Sequence, residues 1–170
     1  MTEKQQHQIF DQWIHDFRAM LFKIVRVYAP THADQDDLFQ EIAIQVYRSV
    51  PNFRNESAIS TWLYRIALNT AMRWSSREKK HTQGHNPVED YEYLLKATTT
   101  ERDERLDWLY DEISRFDEVD RSITLLLLDG LSYKEMAEVI GISESNIGVK
   151  IHRIKKILTE KSKKYDHHGV

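Results

Sequence analysis

This sequence predicts an all-α protein of two small helical domains, and three observations carry that expectation. Apolar residues recur at steps of three and four through most of the chain, the spacing of a helix face. Only five Gly and three Pro occur among 170 residues, too few for the tight turns of a many-stranded sheet. Between about residues 78 and 100 the period is lost, and Gly84, Asn86, Pro87 and a threonine triplet gather there. The expected domains are 1–80, an N-terminal helix bundle, and 101–165, a helix-turn-helix domain, joined by a flexible linker at 81–100.

Phe10, Ile14, Phe17, Leu21, Ile24 and Tyr28 share one face, so residues 8–29 read as one amphipathic helix stopped by Pro30. A second helix opens at Asp34, Asp36 and Asp37, where carboxylates suit the positive end of the helix dipole. It is expected to carry Phe39, Ala43, Val46, Tyr47 and Val50 inward and to end at Pro51. A third spans about Ser57–Arg77 with Ile59, Leu63, Ile66, Thr70 and Trp74 along its stripe. Beyond the linker, a helix resumes near Glu101 with Leu106, Leu109, Ile113 and Phe116. Another covers about Glu118–Leu128, with Gly130 at its C-terminal cap.

Composition removes several classes of function. No cysteine is present, which excludes a disulfide scaffold, a thiolate zinc site and a cysteine nucleophile. No apolar run approaches the roughly 20 residues of a membrane span, and the polar start MTEKQQHQ has no signal-peptide core; membrane insertion is not expected, and a cytoplasmic protein is. The formal charge of −3 conceals an uneven distribution. Residues 52–80 hold 6 basic and 2 acidic groups, and 145–164 hold 7 and 1, whereas 81–130 hold 5 and 13. Two basic patches flank an acidic middle.

The second patch lies on a recognisable pair of helices. Ser132-Tyr-Lys-Glu135 is a capping box after Gly130-Leu131, starting a helix expected to bury Met136, Ala137 and Ile140. Gly141 permits a left-handed turn, Ile142 plugs the angle and Ser143 caps the next helix. That helix is expected to bury Ile147, Ile151, Ile154 and Leu158. At about 100° per residue, Asn146, Val149, Arg153 and Lys156 then project from the opposite side, beside Ser145, with Lys150 on the flank. A basic outer face on the second helix of such a pair suits a DNA major groove. A plain helical hairpin would not need that combination of caps, turn and charge.

On the third helix Trp62, Arg65, Asn69 and Arg73 form a stripe beside the buried one, preceded by Arg54, Asn55 and Ser60 and followed by Arg77. Arginines neutralise phosphates, an amide bonds a base edge and an indole can replace a stacked neighbour. Such a set suits an opened strand. For Trp62 a place in the core is the equally open alternative.

The run Phe53-Arg-Asn-Glu-Ser-Ala-Ile-Ser-Thr-Trp-Leu-Tyr-Arg-Ile-Ala-Leu-Asn-Thr-Ala71 resembles the signature of bacterial extracytoplasmic-function (ECF) sigma factors of the sigma-70 family. Asp36-Asp-Leu-Phe-Gln-Glu41 and the helix-turn-helix from Asp129 to Asn146 are similar to that family's other motifs, in the same order. The resemblance implies a transcription initiation factor with a region-two domain at 1–80 and a region-four domain at 101–165. By that kinship, Asp37, Gln40 and Glu41 meet the clamp helices of the largest subunit of RNA polymerase core, while the second domain meets the flap of the second-largest. Arg54, Asn55, Ser60, Trp62, Arg65, Asn69, Arg73 and Arg77 fall where the family captures the melted minus-ten element of promoter DNA. Ser145, Asn146, Val149, Lys150, Arg153 and Lys156 fall where it reads the minus-thirty-five duplex. Linker residues Glu89, Asp90 and Glu92 would imitate nucleic acid inside the polymerase, and an anti-sigma factor is the implied regulatory partner. The chain departs from the pattern at Gly148 and Val149, where many members carry basic or serine residues. It departs again at Lys150, where arginine is common and lysine lacks the bidentate fork.

An ordinary helix-turn-helix activator or repressor with a helical partner domain would account for residues 101–164 but leave the Phe53–Ala71 run without a role. No enzyme motif occurs: the chain has no H-E-x-x-H, P-loop or G-x-S-x-G. The pairs His81/His85 and His167/His168 stand without a carboxylate cluster, so neither a metal nor another cofactor is expected.

Overall fold

The computed structural model describes residues 1–81 and 103–168, and every element in them is helical. The chain forms two compact units, Met1–Tyr110 and Asp111–Val170. Apart from His81, which ends a helix, the expected linker, with Tyr91, Tyr93, Leu94, Leu95 and the acids at 89, 90 and 92, lies outside the described residues, as does Glu101.

The single helix expected at 8–29 is two helices, α1 (Glu3–Asp16) and α2 (Arg18–Tyr28). The earlier start has a local cause. Thr2 and Gln5 form a reciprocal capping box, each side chain accepting the other residue's backbone N–H. The break falls at Phe17, whose ψ of 14° leaves the helical range, with no Gly or Pro to announce it. Beyond the break the buried side widens to Met20, Leu21, Ile24, Val25, Val27 and Tyr28. Phe10, Ile14 and Phe17 are only half-buried. Ala29 is extended, the conformation a following proline imposes, and the helix stops there.

Helix α3 (His32–Ser49) starts two positions before Asp34 because Thr31 is its cap: the Asp34 N–H donates to Thr31 Oγ1 at 3.1 Å. Val46 and Val50 are buried as expected, but Leu38 and Ile42 take the inner places expected for Phe39 and Ala43; Phe39, Ala43 and Tyr47 are half-buried on the edge. A short 3-10 turn, Val50–Asn52, carries Pro51. Helix α4 (Ile59–His81) runs further than expected at its C-terminal end. It buries Leu63, Thr70 and Trp74 as foreseen, together with Tyr64, Ala67, Leu68, Ala71 and Ser75, while Ile59 and Ile66 are half-buried. The core of the first unit lies among α2, α3 and α4, and α1 is fastened to the end of α3 by Gln6, whose amide donates to the Tyr47 carbonyl at 2.8 Å.

Helix α5 is Glu104–Ser114; Ile113 is fully buried, but Leu106, expected inside, is 44% exposed. Helix α6 (Glu118–Leu128) is capped by Asp117, which accepts the Asp120 N–H at 2.8 Å. Its end is a Schellman motif: Gly130 sits at φ 80°, its N–H bonded to the Leu127 carbonyl and that of Leu131 to Leu126. Helices α7 (Tyr133–Ile140) and α8 (Glu144–His168) follow. Met136, Ile147, Ile151 and Ile154 are buried, as are Ile113, Ile123 and Leu126, and these side chains make up the core of the second unit. Ala137, Ile140 and Leu158 are half-buried, and Val139 takes the inner place beside Met136.

Candidate nucleic-acid interface

In the first unit, helix periodicity separates two faces of α4. Arg65 and Asn69 stand nearly opposite the buried stripe, and both are exposed, as is Arg73 one turn on. The amide of Asn69 therefore points away from the bundle. Trp62 is half-buried, neither fully in the core nor fully exposed. Its indole N–H donates to Ser49 Oγ at 3.4 Å, and its ring lies 5.7 Å from that of Phe53. Phe53 in turn meets Trp13 edge to face at 5.3 Å. This aromatic chain fixes the base of the Phe53–Ala58 loop. On that loop Arg54 and Asn55 are exposed, and Asn55 adopts φ 56°, a left-handed conformation that asparagine tolerates better than most residues. Ser60 is half-buried at the start of α4.

Asp37 and Gln40 are exposed on α3. Glu41 is half-buried and accepts from the Arg77 guanidinium at 2.7 and 2.6 Å. These two, with Gln45, Thr70, Met72, Arg73 and Ser76, line a shallow groove between α3 and α4. The sequence placed Glu41 and Arg77 on different functions, and the fold joins them.

In the second unit the turn is built as its residues require. Ser132 and Glu135 cap reciprocally, the Ser132 N–H reaching Glu135 Oε2 at 2.7 Å. That bond from the Ser132 backbone, then one from its side chain, holds the Glu135 carboxyl below its ordinary value. Gly141 has φ 84°, and Ser143 Oγ accepts the Asn146 N–H at 3.1 Å. On α8, Ser145, Asn146 and Lys156 are exposed, and Val149 is 67% exposed at the middle of the outer face.

Lys150 and Arg153 are placed differently. Lys150 Nζ lies 2.8 Å from Asp120 Oδ1, and the Arg153 guanidinium donates to Asp120 Oδ2. Asp120, on α6, is 5% exposed. Sequence reasoning missed it, because an acid in the first turn of α6 reads as an ordinary complement to the helix dipole. A second buried acid, Glu112, receives Arg115 and Lys161, fastening the far half of α8. Among the described residues no group of three or more His, Asp or Glu is placed to hold a metal ion.

Residues 13–81 match the family described as Sigma-70 region 2, and residues 106–158 match Sigma-70, region 4. Both in this order on one chain define a sigma-70-type factor. Among curated relatives, the ECF RNA polymerase sigma-E factor of Haemophilus influenzae is 32% identical over 142 residues, covering 75% of this chain and 74% of the relative. The Escherichia coli K12 sigma-E factor is 27% identical over 173 residues, covering 94% and 90%. The fold is shared with the sigma factor RpoE solved with the anti-sigma factor NepR from Bartonella quintana, at TM-score 0.69, 20% identity and coverage of 92% and 98%. It is shared too with CnrH, solved with the cytosolic domain of CnrY, at TM-score 0.65, 18% identity and coverage of 92% and 89%. The chain belongs to the extracytoplasmic-function sigma factors, transcription initiation factors that direct RNA polymerase to promoters.

Proposed function

We propose that residues 1–80 dock on polymerase core through Asp37, Gln40 and Glu41 and capture the opened minus-ten strand through the loop at Arg54 and Asn55 and the α4 stripe. Residues 101–165 read the minus-thirty-five duplex through the outer face of α8. The exposed Arg65, Asn69 and Arg73 opposite a fully buried stripe are the observation that carries this reading. Two modest sites on one chain raise each other's effective concentration, so neither domain must hold the promoter alone. The factor supplies binding and strand capture, works in the cytoplasm and performs no catalytic step of its own. An anti-sigma factor is its proposed regulator, since both related folds were solved with a partner chain.

Run-off transcription with purified polymerase core and promoter fragments from the native host tests this. Specific transcripts that need both the chain and the core are expected. Strong sequence-specific binding of the chain alone to duplex DNA, with no effect on polymerase, would establish a repressor instead.

A further inference from the structure

Lys150 and Arg153 lie on the DNA-facing helix, yet both reach back to one buried carboxylate on another helix. Each Asp120 oxygen takes one cation. The acid is built in: its N–H is capped by Asp117 at 2.8 Å, and its carbonyl accepts the Thr124 hydroxyl at 2.7 Å. A carboxylate this buried needs such partners. The cations need it less, for the Lys150 side chain is 23% exposed and that of Arg153 54%.

We propose that Asp120 is a positioning residue for promoter reading, holding Lys150 and Arg153 in one geometry at the groove and cancelling part of their charge. The proposal rests on α8 being the minus-thirty-five reader. The guanidinium gives Asp120 a single Nη2 hydrogen bond, so other N–H groups of Arg153 remain to fork onto a base edge. A fixed guanidinium loses less rotamer freedom on binding than a loose one. One anion between two cations also lowers the pull on phosphates of any sequence. Asp120 thus favours the right site at the expense of general affinity, through geometry and through charge.

The test uses the full chain with polymerase core, on promoters that share a minus-ten element and carry either the preferred or a scrambled minus-thirty-five element. Asp120→Asn keeps the shape and removes the charge. Preference for the correct element should fall about tenfold, within the range of one lost bidentate contact. Binding to the scrambled promoter should tighten, and the salt slope should steepen by about one unit per released cation. Asp120→Glu retains the charge but moves it by one methylene, so the wild-type slope should return while preference stays reduced. It also serves if Asp120→Asn folds poorly. Equal loss on both promoters with an unchanged slope would reduce Asp120 to a structural residue, and so would an Asp120→Glu slope unlike that of the wild type. If wild type itself shows no preference between the two promoters, the reading of α8 falls and takes this proposal with it. A clear wild-type preference that Asp120→Asn leaves intact overturns the positioning role alone.

Discussion

The Arg77 guanidinium donates to both carboxylate oxygens of Glu41, joining α4 to α3 across the groove of the first unit. Both side chains are partly exposed, 57% and 40%, so the pair contributes at most about 1 kcal/mol to stability. Its greater effect is on charge. On the proposed minus-ten role, the charge of Arg77 is already offset by Glu41 before DNA binds, whereas Arg73 has no such acid among the described residues. Arg73→Ala should therefore weaken promoter complexes more than Arg77→Ala, and should lower the salt slope by nearer one unit. Open-complex lifetimes across a salt series compare the two. A larger effect from Arg77→Ala would show that Glu41 releases it when polymerase binds.

Asn69 stands exposed between two arginines, with no role in the bundle core. Asn69→Ala should leave thermal stability within about 0.5 kcal/mol, as exposed substitutions generally do. Core binding should be unchanged, while permanganate reactivity of the minus-ten thymines, or selectivity among single-base promoter variants, declines. Unaltered transcription from every variant would remove Asn69 from the strand-capturing set.

The second unit was the more legible from sequence because its signals are local. Ser132 with Glu135, Gly141 and Ser143 each complete their chemistry within a few residues, and every one does what its type requires. The first unit hid more. On α3 the sets Leu38-Ile42-Val46 and Phe39-Ala43-Tyr47 are both apolar at helical spacing, and only packing against α2 and α4 decides which faces in. The Thr2–Gln5 box precedes the apolar stripe that defined the first helix, so the stripe alone started it too late. Asp120 and its partners are 30 and 33 positions apart, a separation no local pattern reports.

The pH response of the second unit should carry a contribution from Glu135. Its carboxyl is held below the ordinary value of 4.5 by the Ser132 bonds, so the charged form is the one the fold favours. Stability from this source is fully present above the unfolded value and is lost as pH falls through the folded one. Glu135→Gln keeps an acceptor for the Ser132 N–H without a titrating group. Melting midpoints of variant and wild type, followed from about pH 7 to about pH 3, should converge at the acid end. Parallel curves throughout would mean that the box contributes nothing through charge.

Tyr64 is 3% exposed, and its hydroxyl has no hydrogen-bond partner among the described residues. A buried group left unpaired costs about 1–3 kcal/mol. Tyr64→Phe keeps the ring and deletes the orphan, so stability should hold or rise by about 1 kcal/mol. Chemical denaturation of the full chain, read by fluorescence and circular dichroism, measures it. A loss of about 1 kcal/mol or more would place a structural water on that hydroxyl.

Gly148 sits within α8, where two effects bear on its replacement by alanine. Glycine in a helix interior costs about 1 kcal/mol against alanine, through the extra freedom of the unfolded chain. Against that gain stands the neighbour on α7: a Cβ at this position would meet the Tyr133 ring at 3.5 Å. That is an ordinary van der Waals separation, so the methyl group adds contact without displacing the ring. Tyr133 is also 44% exposed and can yield outward. The propensity term should win, and Gly148→Ala should stabilise the second unit by up to about 1 kcal/mol, about 4–8 °C for a domain of this size. Gly148 faces α7 rather than the outer stripe, so promoter preference should not change with it. Differential scanning calorimetry and a minus-thirty-five competition assay settle both halves. A lower melting midpoint would mean that Tyr133 is held too firmly to take the methyl group, and a changed preference would mean that the glycine sets the angle at which α8 meets DNA.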